Sequence, residues 1–447
     1  MVDLHKVVLK ALSLPLGILL HSNHLLCLCV ILAGSALCLP FHSVFFVSFA
    51  ALFTLLASHR SAPSRLPRYQ GSLDVLLGRS YRASSDTPEM EANNNVTMAS
   101  FAGGLVVAYR KADSHFASPL ARIVVAKADT ENLESWTDVW EYCTGEDDLR
   151  EMLFYQVQGT LFMSFACLAP YKRGFSPRQS RWSCTRDLKV WSDPVSFGRA
   201  SEIVWDVKVR TEAGREVVYK ASYVGNHYAG DAVLTILFER SSDGRSWAAV
   251  GDDAAVHTGG ICEVSFEFTS SGDLVAIGRN EDGDASGFGT QLFFARNTDL
   301  SAWTALKVSL PYRFDSPRLV ASDGELLLFA RYARQPYKWV SELMPFGIQR
   351  LVNLLVYSAL PKKAAVYHLT PPDQDGAWSE NPVTLIRFFE ETFGDTGFFS
   401  VASHEPTKEV FVANYGSSSC HSHAPWIVGQ VNPTDVRVCR CQVLRCK

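Results

Sequence analysis

The chain has 447 residues, 47% of them hydrophobic and 12% aromatic, with ten tryptophans and a formal net charge of −4. That is ample material for the core of a large all-β domain. The near-balanced charge, with no basic patch, points away from nucleic acid as a partner.

The apolar excess is concentrated near the N-terminus. From Leu25 to Ser58, "LLCLCVILAGSALCLPFHSVFFVSFAALFTLLAS", there is no charged residue, and a membrane span needs about 20 such residues. Pro40 and His42 interrupt the run. It reads either as one tilted span near 36–57 or as a tight two-helix hairpin. A buried helix and a cleaved signal peptide are the competing readings, and the stretch is longer than a usual signal core. Residues 1–58 are therefore expected to be a membrane anchor, single-pass as first choice. Lys6 and Lys10 lie on one side, and Arg60, Arg65 and Arg68 on the other, so positive charge does not settle orientation.

Residues 59–92 are rich in Ser, Arg and Pro and are expected to be a flexible linker. Eleven cysteines are present, three of them (Cys27, Cys29, Cys38) in the apolar run. The other eight, with the glycosylation sequon Asn95-Val-Thr97, suit a lumenal or extracellular domain carrying some disulfides and a glycan. Asn432-Pro-Thr434 is excluded as a sequon by its proline.

From residue 93 the texture changes to short β-type runs separated by turn residues, such as "GGLVVAYR", "GTLFMSF", "AVLTILFERS" and "GELLLFAR". The segment 340–355, "VSELMPFGIQRLVNLL", is the one helical insertion expected. A motif recurs after strands: an acidic residue, a turn, then tryptophan. It appears at Asp129/Trp136, Asp187/Trp191, Asp243/Trp247 and Asp299/Trp303, with a degenerate copy at Asp375/Trp378. Successive tryptophans are about 55 residues apart, and a unit of that length holding about four strands indicates a β-propeller. The Asp carboxylate is expected to accept backbone N–H groups in the turn, and the Trp to pack between neighbouring blades. Six blades fit residues 93–447, with boundaries near 145, 201, 257, 311 and 382. Either terminus can supply the strand that closes the circle.

The stretch "SSDGRSW" resembles the Asp-box of the sialidase superfamily, and the order of motifs from about 93 to 440 is similar to that of bacterial-type six-bladed sialidase-like propellers. The resemblance implies an all-β, six-bladed domain with a polar central pocket. In such enzymes a blade-four glutamate works with a catalytic tyrosine, and an arginine one strand later grips the substrate carboxylate. Glu263 and Arg279, in "ICEVSFEFTSSGDLVAIGR", match that pattern in type and order. A three-residue loop Ser270-Ser271-Gly272, with Gly272 left-handed, would set them directly opposite each other. The sequence departs from the family at "GDTGFFS", where Phe398 stands in place of the nucleophilic tyrosine. "NLLVYSAL" and "EANNNV" lack the other two arginines expected, although Arg331, Arg334 or Arg350, and Arg110, lie near enough to substitute.

The remaining candidates begin or end equivalent inner strands. Glu263, Asp148 and Asp395 are the carboxylates for general acid/base chemistry. Arg110, His115, Arg150, Trp205, Arg279 and Asp315 are the substrate contacts, Trp205 as a sugar platform and the arginines as anion clamps. For each, a local ion pair, a turn cap or core packing is the competing reading. "CHSHAPW" (His421, His423) with Cys439, Cys441 and Cys446 departs from zinc spacing. "NEDGDASG" lacks the terminal glutamate of a calcium loop, and there is no phosphate-binding Gly-rich loop. No metal and no cofactor is expected. The functional reading is a sialidase-like glycoside hydrolase at a membrane surface, facing the lumen or exterior and acting on a glycan or glycoconjugate. A non-catalytic glycan- or protein-binding propeller is the alternative.

Overall fold

The computed structural model describes residues 67–445 apart from 86, 88, 170–175, 227–232, 311, 335–344, 360–361, 405–408 and 418–425. The expected membrane anchor, His421, His423, Cys420 and Cys446 lie outside the described residues. Among the described residues no helix is long and apolar enough to cross a membrane.

The first strand, β1 (Leu73–Arg82), pairs antiparallel with the last, β25 (Thr434–Arg445). Between them a four-strand antiparallel run repeats in chain order. The first run is β2 (Ala92–Phe101), β3 (Gly104–Ala112), β4 (Arg122–Asp129) and β5 (Asn132–Tyr142). The second is β6 (Asp148–Val157), β7 (Thr160–Ala169), β8 (Ser176–Thr185) and β9 (Val195–Phe197). In the third, β10 (Glu202–Glu212), β11 (Arg215–Val224) and β12 (Leu234–Ser241) are edged by the short strands β13 (Ala248–Ala249) and β14 (Ala255–Gly259). The fourth is β15 (Ile261–Phe268), β16 (Leu274–Asp284), β17 (Gly287–Ala295) and β18 (Thr304–Ala305). The fifth is β19 (Tyr312–Ser322), β20 (Glu325–Arg334), β21 (Lys362–Leu369) and β22 (Val383–Gly394), with helix α1 (Phe346–Ala359) inserted between β20 and β21. Last come β23 (Thr396–His404), β24 (Glu409–Ser417) and β25, with helix α2 (Trp426–Gly429) before β25 and β1 on its outer edge. This last run and the first share one eight-stranded sheet, joined through the parallel pair Ala92–Thr434.

The leading strands β2, β6, β10, β15, β19 and β23 pack against one another in that order, and β23 returns to β2. The architecture is an all-β propeller. Apolar side chains fill the spaces between sheets, and the turn tryptophans bridge them as expected. Trp191 stacks on Trp140 of the preceding sheet at 5.0 Å. Trp247 meets Tyr155 edge-on at 6.1 Å, and Trp303 lies 5.2 Å from Phe238. The turn aspartates cap their turns. Asp243 Oδ1 accepts the N–H groups of Arg245 and Ser246, both at 2.8 Å, and Asp187 Oδ1 accepts those of Lys189 and Val190. In the degenerate copy the acceptor is Asp373, not Asp375.

Each leading strand carries a bulge near its start. Register slips between Asn94 and Thr97, Arg150 and Leu153, Val204 and Asp206, Cys262 and Ser265, Asp315 and Arg318, and Gly397 and Ser400. In five of the six, a non-glycine residue adopts left-handed φ: Asn95, Glu151, Glu263, Ser316 and Phe398, between 49° and 56°. Such a conformation costs roughly 1–2 kcal/mol per residue, and its repetition round the ring marks it as part of the architecture.

Several expectations are corrected. Residues 73–82 are strand rather than linker, with Leu73 and Val75 buried against β25 and its neighbours. β22 belongs to the fifth run, so the last boundary lies at 395, not 382. Asn95 is fully buried in its bulge, so a glycan there is incompatible with this fold. Cys143, Cys167, Cys184, Cys262 and Cys441 are free thiols, and burial pushes Cys167 and Cys441 up to about 12. Disulfides are not formed by these five. The helical insertion is present, displaced to Phe346–Ala359.

Asp243→Ala is expected to cost about 1 kcal/mol through its lost turn bonds, read as a lower urea midpoint at unchanged m-value. An unchanged midpoint would show that the turn holds without its cap.

Candidate functional site

The opening ends of the leading strands converge on the propeller axis, and they bring most of the predicted polar residues with them. The residue just before each bulge faces a fixed position on the second strand of its sheet. The pairs are Asn94–Arg110, Arg150–Ala166, Val204–Ser222, Cys262–Arg279, Asp315–Arg331 and Gly397–Tyr415. Three of these second-strand positions are arginine.

The hairpin loop Ser270-Ser271-Gly272 forms as expected, with Gly272 at φ 83° and its N–H bonded to Thr269. Counting back from it would pair Glu263 with Arg279. The bulge inserts one residue, so Cys262 pairs with Arg279 instead. Left-handed Glu263 nevertheless turns its carboxylate to Arg279, with Oε1 2.8 Å from Nη1. Its Oε2 accepts the Ser316 N–H at 2.9 Å. Gly278 lies opposite the bulge, where an added Cβ would meet Ile261 and Val264 at 2.6 and 2.9 Å.

Two charged clusters flank the axis. In the first, Asp148 accepts Nε and Nη2 of Arg110 at 2.9 and 2.7 Å, and Nε and Nη2 of Arg150 at 3.0 Å each. The Ser118 N–H adds a bond at 2.7 Å. The rest of the Arg110 fork is spent on the carbonyls of Ser114 and Phe116. Burial alone raises the Asp148 carboxyl, but the two guanidiniums outweigh it and hold the group at about 2. Beside them His115 Nδ1 lies 2.6 Å from Asp395 Oδ2, and the Tyr415 hydroxyl donates to Asp395 Oδ1 at 3.1 Å. Burial pushes His115 below its ordinary value. Burial opposes ionisation of Asp395 as well, yet its pairing with His115 keeps it below the usual carboxylate range.

In the second cluster Arg279 reaches three carboxylates: Glu263, Glu281 at 2.6 Å and Asp315 at 3.1 Å. Arg313 Nε bonds Asp315 at 3.2 Å. Its Nη1 and Nη2 make no hydrogen bond among the described residues, although Glu281 Oε1 is 3.6 Å from Nη2. Arg331 donates from Nη1 to the Thr396 carbonyl at 3.3 Å, while its buried Nε has no hydrogen-bond partner among the described residues.

Helices α1 and α2 cover these clusters. The Tyr357 ring of α1 lies 5.2 Å from Arg279, 4.2 Å from Arg313, 5.8 Å from Arg331 and 3.5 Å from the Lys362 ammonium, measured to its centroid. Its buried hydroxyl has no hydrogen-bond partner among the described residues. Trp426 of α2 meets Tyr357 edge-on at 4.8 Å. Gly429 sits so close to Asp395 that a Cβ would lie 2.8 Å from its nitrogen.

No family model matches the chain, and no curated protein matches it. Among solved structures, the endosialidase of phage phi92 superposes at TM-score 0.53 and 10% identity, covering 82% of this chain and 69% of that one. What the two share is the fold, that of a sialidase-like propeller. A Trypanosoma rangeli sialidase gives TM-score 0.49 at 9% identity over 84% of this chain, which spans 58% of the trypanosomal one. An α-L-arabinanase of Penicillium chrysogenum gives 0.45 at 10% identity, covering 82% and 97% of the two chains.

The predicted residues fall into different roles within this propeller. Arg110, Asp148, Arg150, His115, Asp395, Glu263, Arg279 and Asp315 are drawn together round the axis. Arg110 and Arg279 are not open clamps, because protein carboxylates and carbonyls fill their forks. Asp148, held ionised by two arginines, is no proton donor at neutral pH. Trp205 is not a sugar platform: it is 2% exposed, Arg318 stacks on it at 5.2 Å and Phe398 tilts against it at 5.4 Å. Glu151, Arg313 and Tyr357 were missed. Glu151 shares the bulge position of Glu263, and no local sequence pattern marks that position.

Asp148→Asn leaves two buried guanidiniums short of charge and is expected to cost about 3–5 kcal/mol. The carboxyl's folded value lies below its unfolded value of 3.8, so its stabilisation is full above that pH and is lost as pH falls towards about 2. Acid unfolding followed by tryptophan fluorescence should lose this component in the variant. An unchanged acid transition would contradict the assignment.

Proposed function

We propose that the chain is a six-bladed propeller, the eight-stranded sheet counting as two blades, with a central glycoside-hydrolase-like site for a sugar bearing a carboxylate or similar anion. One observation carries the reading. Among the described residues, Arg313 and Arg331 hold buried donors without hydrogen-bond partners, and Arg313 connects to Glu263 through three successive ion pairs by way of Asp315 and Arg279. A buried donor left unmade costs about 1–3 kcal/mol, so an anion placed there gains what the protein forgoes. Guanidinium forks suit carboxylates in two-point contact. Glu263, ion-paired and bonded by a backbone N–H, supplies the fixed carboxylate of the site.

The non-catalytic alternative draws on Phe398, which sits at its bulge where a hydroxyl-bearing side chain would face the axis, and on Tyr357, which occupies the cation cluster. It predicts glycan binding without turnover. The apolar run 25–58 is proposed to anchor the chain, with the propeller on the lumenal or exterior side. The chain should then stay with the membrane pellet in alkaline carbonate, and release to the supernatant would sink that proposal.

The deciding experiment incubates the full chain with matched glycosides with and without a sugar carboxylate. Arg331→Ala is expected to weaken the acidic substrate about tenfold or more, as loss of a charged hydrogen bond implies, and to leave the neutral one unchanged. Glu263→Gln should abolish turnover of both. Equal effects of Arg331→Ala on the two sugars would discard the anion assignment.

A further inference from the structure

Glu151 differs from every other acid near the axis. Asp148, Glu263, Asp315 and Asp395 each lie within ion-pair distance of an arginine or histidine. Glu151 lies at the bulge of β6, the position Glu263 holds in β15, with φ 56°. Among the described residues Oε2 is buried without a hydrogen-bond partner, and 8% of the residue reaches the surface. A buried carboxyl with no bonded cation is far cheaper to hold as the neutral acid than as the anion.

We propose that Glu151 is the proton donor of the central site, acting beside Glu263, which is ion-paired with Arg279. This rests on the hydrolase reading above. The Glu151 carboxyl proton passes to the glycosidic oxygen as the bond to the anomeric carbon breaks, and the bonding pair stays with that oxygen. Water then leaves its hydroxyl on the anomeric carbon and its remaining proton on Glu151, restoring the acid. The groups facing Glu151 are Arg150, Arg318 and Arg331, which favour its anion, and Glu263, which opposes it. Burial comes first and, with Glu263, outweighs the arginines, raising the group to about 8. Glu263, by contrast, is ion-paired with Arg279, so the two carboxyls have different partners.

The test uses the full chain and two glycosides of one sugar, one with a nitrophenol-type leaving group and one with a simple alcohol. Glu151→Gln is expected to lose 10²–10⁴-fold on the alcohol glycoside, which needs the proton, and less than tenfold on the nitrophenyl one. Equal loss on both, or loss on neither, overturns the proposal and leaves a structural role. Infrared difference spectra report the proton without turnover. Wild type should show a carboxylic-acid band at pH 7 that vanishes as pH rises through about 8, and Glu151→Gln should lack it. Absence of that band from wild type overturns the proposal on its own. A band present with no glycoside turned over by wild type rejects the hydrolase reading, and the donor role falls with it.

Discussion

The bulge near the start of each leading strand, left-handed in five of the six, is the constraint on which the centre of this molecule depends. A plain strand entering a propeller alternates its side chains between the two faces of its own sheet. One inserted residue in left-handed conformation breaks that alternation and frees a side chain from both faces. Repeated round the ring, it sets Asn95, Glu151, Glu263, Ser316 and Phe398 at equivalent places on the axis. Opposite the bulge the partner strand must come close, and small residues such as Gly278 and Ala330 accommodate this.

Polar groups gathered in this way have to be satisfied internally. The first cluster does so almost completely, with two arginines, one aspartate and a set of loop carbonyls closing a network. The second is less complete. Its cations are faced by the ring of Tyr357, whose π-face attracts charge but accepts no strong bond from a guanidinium. The network is closed at one side of the axis and open at the other, and the open side, at the fourth and fifth sheets, is where buried guanidinium donors lack hydrogen-bond partners among the described residues.

Much of the propeller is legible in the sequence because its signals are local. Asp243 and Trp247 mark a turn that recurs at similar intervals, and alternating apolar runs mark the strands between. Gly272 reveals its loop for the same reason. The central site is less legible because its geometry is set by residues that no local pattern marks. Nothing near Glu263 announces an inserted residue, so the pairing partner of Arg279 is misassigned by one. Arg110 and Arg279 read as clamps because their type suits an anion, but their partners Asp148 and Glu281 come from another sheet and from two residues along. β1 hides in a Ser/Arg-rich segment because its partner is at the far end of the chain. Asn95 reads as a glycosylation site because a tripeptide carries no record of burial.

The pairing of β1 with β25 also sets an order on biosynthesis. Roughly 350 residues separate the end of β1 from the start of its partner. At about 5–20 residues per second of translation, β1 waits about 20–70 seconds for the strand it completes. The ring therefore cannot latch until β25 has been made. During that interval the two buried positions of β1, Leu73 and Val75, lie on an unpaired edge, the kind of surface that invites contact with another nascent chain. A circular permutant that places β1 directly after β25 would remove the delay while keeping every hydrogen bond of the ring.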